Sequence, residues 1–215
     1  MSWIFKAAAR SIGKKQCMAV TGLGLSVFLV VHLAGNFLLI VGPEEFNGYA
    51  RALEENPLLI PAEVVLLLGF VLHFGLAAWV TLENWRARPV RYVVKASEGT
   101  RTFASSTMWL TGSITLVFVV LHLIHFKFAD HEAAGGLHNL VLTTFQSLPI
   151  VIWYVAAVCA LGLHVGHGFQ SAFRTLGLQH PKYTPFIQWL SRIFGVVVAL
   201  GYSSLPIWAY LRRNA

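Results

Sequence analysis

Five stretches of the chain contain no Asp, Glu, Lys or Arg: 16–43, 64–82, 102–126, 133–173 and 193–211, of 28, 19, 25, 41 and 19 residues. A helix needs about 20 residues to cross the hydrocarbon layer of a bilayer, so each stretch can hold one crossing. In the longest, the polar segment 135–147 and Pro149 confine the helix to the second half. The pattern predicts spans at 17–41, 60–82, 107–128, 149–171 and 190–211. No repeat of 20 to 50 residues, low-complexity tract or soluble domain is visible. The expected fold is all-α, a single domain over 1–215 formed by an integral membrane bundle of five transmembrane helices with short loops.

Composition agrees. Charged residues make up 12% of the chain, against about 25% in soluble domains, and 56% are hydrophobic, which leaves too little polar surface for a soluble globule. The net charge of +7 points to topology, not to nucleic acid, because the basic residues sit in short segments between apolar runs. Lys6, Arg10, Lys14 and Lys15 precede the first span; Arg86, Arg88, Arg91, Lys95 and Arg101 fill the second loop; Arg174, Lys182 and Arg192 flank the fourth span and start the fifth. The opposite side keeps Arg51, Lys127, Arg212 and Arg213 among Glu44, Glu45, Glu54, Glu55, Glu63, Asp130 and Glu132. The positive-inside rule then predicts a cytoplasmic N-terminus and an external C-terminus. The basic N-terminal segment reads as the flank of a retained first helix, since the apolar run after it is longer than a signal-peptide core. Cys17 and Cys159 both lie in apolar runs and form no disulfide scaffold or Cys-based metal motif.

Four histidines fall inside consecutive spans: His32, His73, His122 and His164. An imidazole in hydrocarbon is costly unless paired or liganded, so one per helix on four helices marks a functional site. Spans alternate in direction and a helix rises about 1.5 Å per residue. His32 and His122 then lie roughly 4 and 7 Å outward of their span midpoints, and His73 and His164 roughly 3 and 7 Å inward. Two levels result, roughly 10 Å apart, each with two histidines from different helices. Such a pair can supply both axial ligands of a haem iron, so the pattern predicts two haems and a stepwise electron path across the bilayer.

Gly35, Gly69, Gly75, Gly162, Gly166 and Gly168 lie near these histidines and suit either a flat macrocycle or close helix packing. His125 and His167 each follow a proposed ligand by three residues, one turn along the same face. A single non-haem metal on each His-x-x-His pair is disfavoured by the absence of Asp and Glu from spans three and four; a hydrogen bond to a propionate or quinone fits better. His131, His138 and His180 fall in loops and are expected at the solvated surface.

Five segments taken in order carry a family resemblance: Gly22-Leu-Gly-Leu-Ser-Val-Phe-Leu-Val-Val-His32-Leu-Ala-Gly-Asn36, Phe46-Asn-Gly-Tyr49, Asn84-Trp-Arg-Ala-Arg-Pro-Val-Arg-Tyr92, Phe118-Val-Val-Leu-His122-Leu and His164-Val-Gly-His-Gly-Phe-Gln-Ser-Ala-Phe-Arg-Thr-Leu-Gly177. The chain resembles, over nearly its whole length, the cytochrome b membrane anchor of succinate:quinone oxidoreductases (succinate dehydrogenase or quinol:fumarate reductase), in the group with one large anchor and two haems. The resemblance implies two bis-histidine haems b, with His73 and His164 on the haem nearer the cytoplasm and His32 and His122 on the outer one. It further implies a cytoplasmic iron-sulfur subunit, a flavoprotein with covalent FAD, exchange of electrons with quinone, usually menaquinone, and a bacterial cytoplasmic membrane. The complex as a whole is open to dimerisation. Dicarboxylate chemistry then belongs to a partner chain, and this chain is the electron-transfer and quinone-reactive subunit.

Some relatives of that kind carry a glutamate two residues before the fourth ligand, implicated in transmembrane proton movement. Gly162 stands there, so that route is in doubt. Glu63, at the outer start of span two, is the acidic candidate for a proton carrier at a quinone site, with a plain interfacial carboxylate as the alternative. Arg86, Arg88 and Arg91 suit propionates, partner docking or lipid headgroups. Trp109, Trp153, Trp189 and Trp208 fit an interfacial aromatic belt. Two other functions remain open on the residues alone: the quinone-reactive di-haem cytochrome b of a hydrogenase or formate dehydrogenase, and a haem-free transporter whose histidines relay protons.

Overall fold

The computed structural model describes residues 11–87 and 103–212. Lys6, Arg10, Arg88, Arg91, Lys95, Arg101 and Arg213 lie outside the described residues. Helices in chain order are α1 (Ser11–Asn36), α2 (Leu38–Val41), α3 (Pro43–Glu54), α4 (Leu59–Arg86), α5 (Phe103–Ser106), α6 (Met108–His122), a π-helical turn at Leu123–Lys127, α7 (Leu137–Thr144), α8 (Leu148–Thr175) and α9 (Thr184–Leu211). Among the described residues there is no strand. Five segments are long and apolar enough to cross a membrane: Ser11–Val41, Leu59–Arg86, Met108–Lys127, Leu148–Thr175 and Thr184–Leu211. The chain is a multi-pass, all-α membrane protein.

Each expected span coincides with one of these five segments, the first made of α1 and α2 and the third of α6 and the π-turn; α1 begins before the expected bound, α4 and α8 run past both of theirs, and α9 starts at Thr184 instead of 190. Apolar run length measures hydrocarbon thickness, whereas a helix continues into the interface where charged ends such as Glu83 and Arg174 reach water. Proline sets the N-terminal limits of α8 and α9: each carries Pro in its first turn, where the missing N–H has no helical acceptor anyway. The third span departs in another way. After His122 it widens into a π-turn, which adds a residue per turn and re-aims the side chains that follow, His125 among them.

The centre of the bundle is α8. It buries Ala157, Val158, Ala160, Leu161, Gly162 and Val165 between α9, α1 and α6. Lipid tails are as apolar as leucine, so membrane helices associate through close packing and hydrogen bonds, not through hydrophobic drive. The α8–α9 contact shows both. A Cβ on Gly195 would lie 2.6 Å from the Gly162 carbonyl oxygen and 2.9 Å from the Gly166 Cα, and the Ser191 hydroxyl donates to the Gly166 carbonyl at 2.6 Å. By contrast α4 buries no residue among the described ones and packs mainly on α1, more weakly on α6.

Ion pairs close both ends of the hairpins. Lys14 bonds Glu83 at the end that begins α1, and Lys127 bonds Glu63 at the other. On that second side, α3 and α7 clasp each other. Phe46 is buried with Val141 and Phe145, Asn47 accepts from the backbone N–H of His138 at 2.9 Å, and Tyr49 lies against Gly35. Gly136, at φ +108°, leaves no room for a Cβ, which would meet Asn47 Nδ2 at 2.8 Å. His138 is therefore part of the clasp, its ring centroid 6.3 Å from that of Phe46 with the planes at 70°, and not solvated surface as its loop position implied. Asn47→Ala is expected to leave the His138 N–H unpaired and lower unfolding free energy by about 1–2 kcal/mol, read as a lower Tm in detergent.

Candidate cofactor site formed by four histidines

The four intramembrane histidines meet in two pairs. His32 of α1 faces His122 of α6 with ring centroids 5.9 Å apart and planes at 87°. His73 of α4 faces His164 of α8 at 6.4 Å and 76°. These are the partners expected from depth alone. The levels are further apart than the sequence arithmetic implied. The His73 ring abuts Gly22 on α1, ten residues before His32, and the His164 ring abuts Gly112 on α6, ten residues before His122. Ten residues are roughly 15 Å of helix rise, against the roughly 10 Å expected from run midpoints. Midpoints fail because polar helix ends extend unequally beyond the apolar runs.

The inner pair is held tightly. His73 Nδ1 lies 3.0 Å from the Met18 carbonyl and 3.2 Å from Thr21 Oγ1. His164 Nδ1 lies 3.3 Å from Thr111 Oγ1. A carbonyl only accepts, so His73 Nδ1 carries the proton and Nε2 keeps its lone pair. A Cβ at Gly22 would stand 2.9 Å from His73 Cε1, and one at Gly112 would stand 3.2 Å from His164 Cε1. Both rings are pressed onto glycine at the same relative place.

That coincidence has a sequence origin. Residues 18–33 and 108–123 align with eight identities in sixteen: Met18/Met108, Thr21/Thr111, Gly22/Gly112, Val27/Val117, Phe28/Phe118, Val30/Val120, His32/His122 and Leu33/Leu123. Ninety-one residues after Leu72-His73-Phe-Gly75 comes Leu163-His164-Val-Gly166. The first two spans and the next two are thus parallel repeats, the kind related by an axis along the membrane normal. Each histidine pair takes one ring from each repeat. The period of about 90 residues exceeds the 20 to 50 residues usually searched for, which is why the repeat escapes a simple sequence reading.

Glycines chosen from the sequence behave differently from one another. Gly35 receives Tyr49, and Gly162 and Gly166 receive α9. A Cβ on Gly69 or Gly75 would meet nothing within 4 Å, and one on Gly168 only the Met108 methyl at 3.9 Å. Gly22 and Gly112 do touch the histidines; their signal lies in the Thr-Gly repeat and not in distance along the helix. Gly162 also acquires a physical reason: a Cβ there would be 2.6 Å from the Gly195 carbonyl, so no carboxylate side chain fits at this helix crossing.

The remaining histidines divide. His125 Nδ1 is 2.9 Å from the Tyr154 hydroxyl, the two rings stacked at 5.8 Å. His167 Nδ1 and His122 Nδ1 are buried without a hydrogen-bond partner. His131 Nε2 lies 3.5 Å from Glu54; His180 is exposed, and its backbone N–H donates to Thr184 Oγ1 at 3.1 Å where α9 begins. Glu63 is engaged by Lys127, and Arg86 is exposed. Comparison of the chain with protein-family models, curated proteins and solved structures finds no match.

Does a haem suit these residues? Two imidazoles sharing one metal on a common axis, each nitrogen roughly 2 Å away, place their ring centroids roughly 6 Å apart. Both observed pairs meet that distance. No group of three or more His, Cys, Asp or Glu gathers among the described residues. Each pair supplies two nitrogens, so a metal there needs its other ligands from a molecule that brings them, as a macrocycle does. A buried Nδ1 without partner on His122 further marks a ring whose surroundings this chain alone does not complete.

Proposed function

We propose that this chain is a di-haem cytochrome b that anchors a succinate:quinone oxidoreductase in a bacterial cytoplasmic membrane and passes electrons between membrane quinone, of the menaquinone type, and a cytoplasmic iron-sulfur subunit. The observation that carries this reading is the pair of facing histidines at each of two levels, each at the separation two axial ligands need. When bound, haem iron supplies one-electron redox chemistry. The chain's own part is to hold the four imidazoles in two facing pairs and to set the spacing of the two levels.

His73 and His164 would hold the haem on the side of the N-terminus, and His32 and His122 the outer one. His125 with Tyr154 lies one turn beyond His122 and gives that end a hydroxyl–imidazole couple able to hand on a proton. Glu63 remains the acidic candidate for a quinone-linked proton, tethered by Lys127. Arg86 at the exposed end of α4 is available to a docking partner. The flavoprotein with covalent FAD, the iron-sulfur subunit and the five sequence motifs belong to one consistent picture, in which the dicarboxylate is handled outside the membrane.

Purification from membranes of its own host tests the reading. The expected preparation has a reduced-minus-oxidised b-type spectrum, about two haems per chain and a co-purifying flavoprotein with covalent FAD. A folded, colourless protein overturns the cytochrome reading, and a hydrogenase or formate dehydrogenase partner overturns the choice of complex.

A further inference from the structure

The two histidine pairs are anchored differently. At the inner pair, the Thr21 hydroxyl already donates to the carbonyls of Cys17 at 2.9 Å and Met18 at 3.1 Å, so toward His73 Nδ1 its oxygen is an acceptor. Thr111 repeats the arrangement: it donates to Thr107 at 3.1 Å and Met108 at 3.3 Å and presents its oxygen to His164 Nδ1. Each ring also rests on the glycine that follows its threonine. At the outer pair, the aligned repeat places no threonine, and His122 Nδ1 is buried with no partner at all.

We propose that Thr21 and Thr111 are positioning residues for the inner pair: their hydroxyls lock His73 and His164 with Nε2 toward the metal and, by accepting from Nδ1–H, make these two imidazoles stronger donors than those of the outer pair. The inference rests on the haem reading above and deepens it. A second-shell acceptor on Nδ1–H fixes the tautomer and ring angle of a liganding histidine and raises its basicity. A more basic ligand favours the ferric ion over the ferrous, so removing the hydroxyl, which at His73 shares the Nδ1–H with the Met18 carbonyl at 3.0 Å, raises the midpoint potential of that haem and leaves the other unchanged. The same polar pinning at two equivalent places in a duplicated sequence is hard to reconcile with incidental packing, since threonine in a helix satisfies its hydroxyl on its own backbone without help.

The test uses Thr21→Val, Thr111→Val and the double variant, each beside the matching serine variant, in the purified complex. Redox titration followed at the b-type absorbance gives both midpoints, and electron paramagnetic resonance of the oxidised protein reports the angle between the two liganding rings. Valine is expected to shift one midpoint upward and move one ferric signal, the double variant to shift it further, and serine to restore the original values. Loss of the inner haem with valine but not with serine is the same locking role in stronger form. Two unchanged midpoints with both haems retained overturn the proposal, as does an equal shift of both. Loss of haem with valine and serine alike, accompanied by a lower Tm, assigns the threonines to packing and also overturns it. A wild-type protein without haem overturns the cofactor reading first, and is told apart by the spectrum before any variant is made.

Discussion

His73→Ala or His164→Ala is expected to halve the haem content, from about two to about one per chain, and His32→Ala or His122→Ala to halve it by removing the other haem. On the proposed cytochrome reading each facing pair would hold one iron, so losing either imidazole of a pair would remove a ligand from the same site, whereas the second pair, roughly 15 Å of helix rise away, would keep both. Four single variants should therefore fall into two spectral classes: 73 with 164, and 32 with 122. Pyridine haemochrome content and the reduced-minus-oxidised band position measure this directly. A variant at 73 that resembles one at 122, or four variants that retain full haem, contradicts the pairing. On the same reading, quinone-linked electron transfer should fail in both classes, because each would remove the one cofactor proposed at its level.

Gly195→Leu should have the largest effect on folding. The Cβ alone would sit 2.6 Å from the Gly162 carbonyl oxygen and 2.9 Å from the Gly166 Cα. Those neighbours are backbone atoms of the central helix, which cannot turn aside as a flexible side chain would. Overpacking a tight core costs about 1–3 kcal/mol, and here it also separates Ser191 from the Gly166 carbonyl. The expectation is a fall in Tm in detergent and poor accumulation in the membrane, at or above the upper end of that range. Gly75→Ala is the matched control. Its Cβ would meet nothing within 4 Å, and alanine is the better helix former by about 1 kcal/mol, so the variant should be neutral or slightly more stable. Destabilisation by Gly75→Ala equal to that by Gly195→Leu would mean that helix contact is not what these glycines serve.

The crossing at Gly162 and Gly195 also separates two explanations that look alike in the sequence. Read along α8, Gly162 marks the place where a glutamate is missing. In three dimensions it is a point of close backbone approach between α8 and α9, so a longer side chain there would require the helices to move apart. Glu63 tells a similar story at the membrane edge. Its sequence context offers a lone acid at a helix start; its surroundings pair it with Lys127, 64 residues away, and tie span two to span three.

The sequence by itself determined how many helices cross, where each lies to within a few residues, that the fold is all-α, and which histidines share a level, because hydrocarbon thickness and helical rise convert residue counts into depth with no knowledge of neighbours. Tertiary structure alone decided everything lateral. Which glycine cradles a histidine and which seats another helix, that His138 belongs to the clasp of α3 and α7, that Tyr154 bonds His125, and how far apart the two levels stand all depend on rotation and offset of one helix against the next. Those are set by small residues and single hydrogen bonds between segments remote in the chain, and no local pattern encodes them. The Thr-Gly-histidine arrangement falls between the two: it is written twice in the chain, about 90 residues apart, yet its meaning appears only when the following span of each copy brings a ring to it.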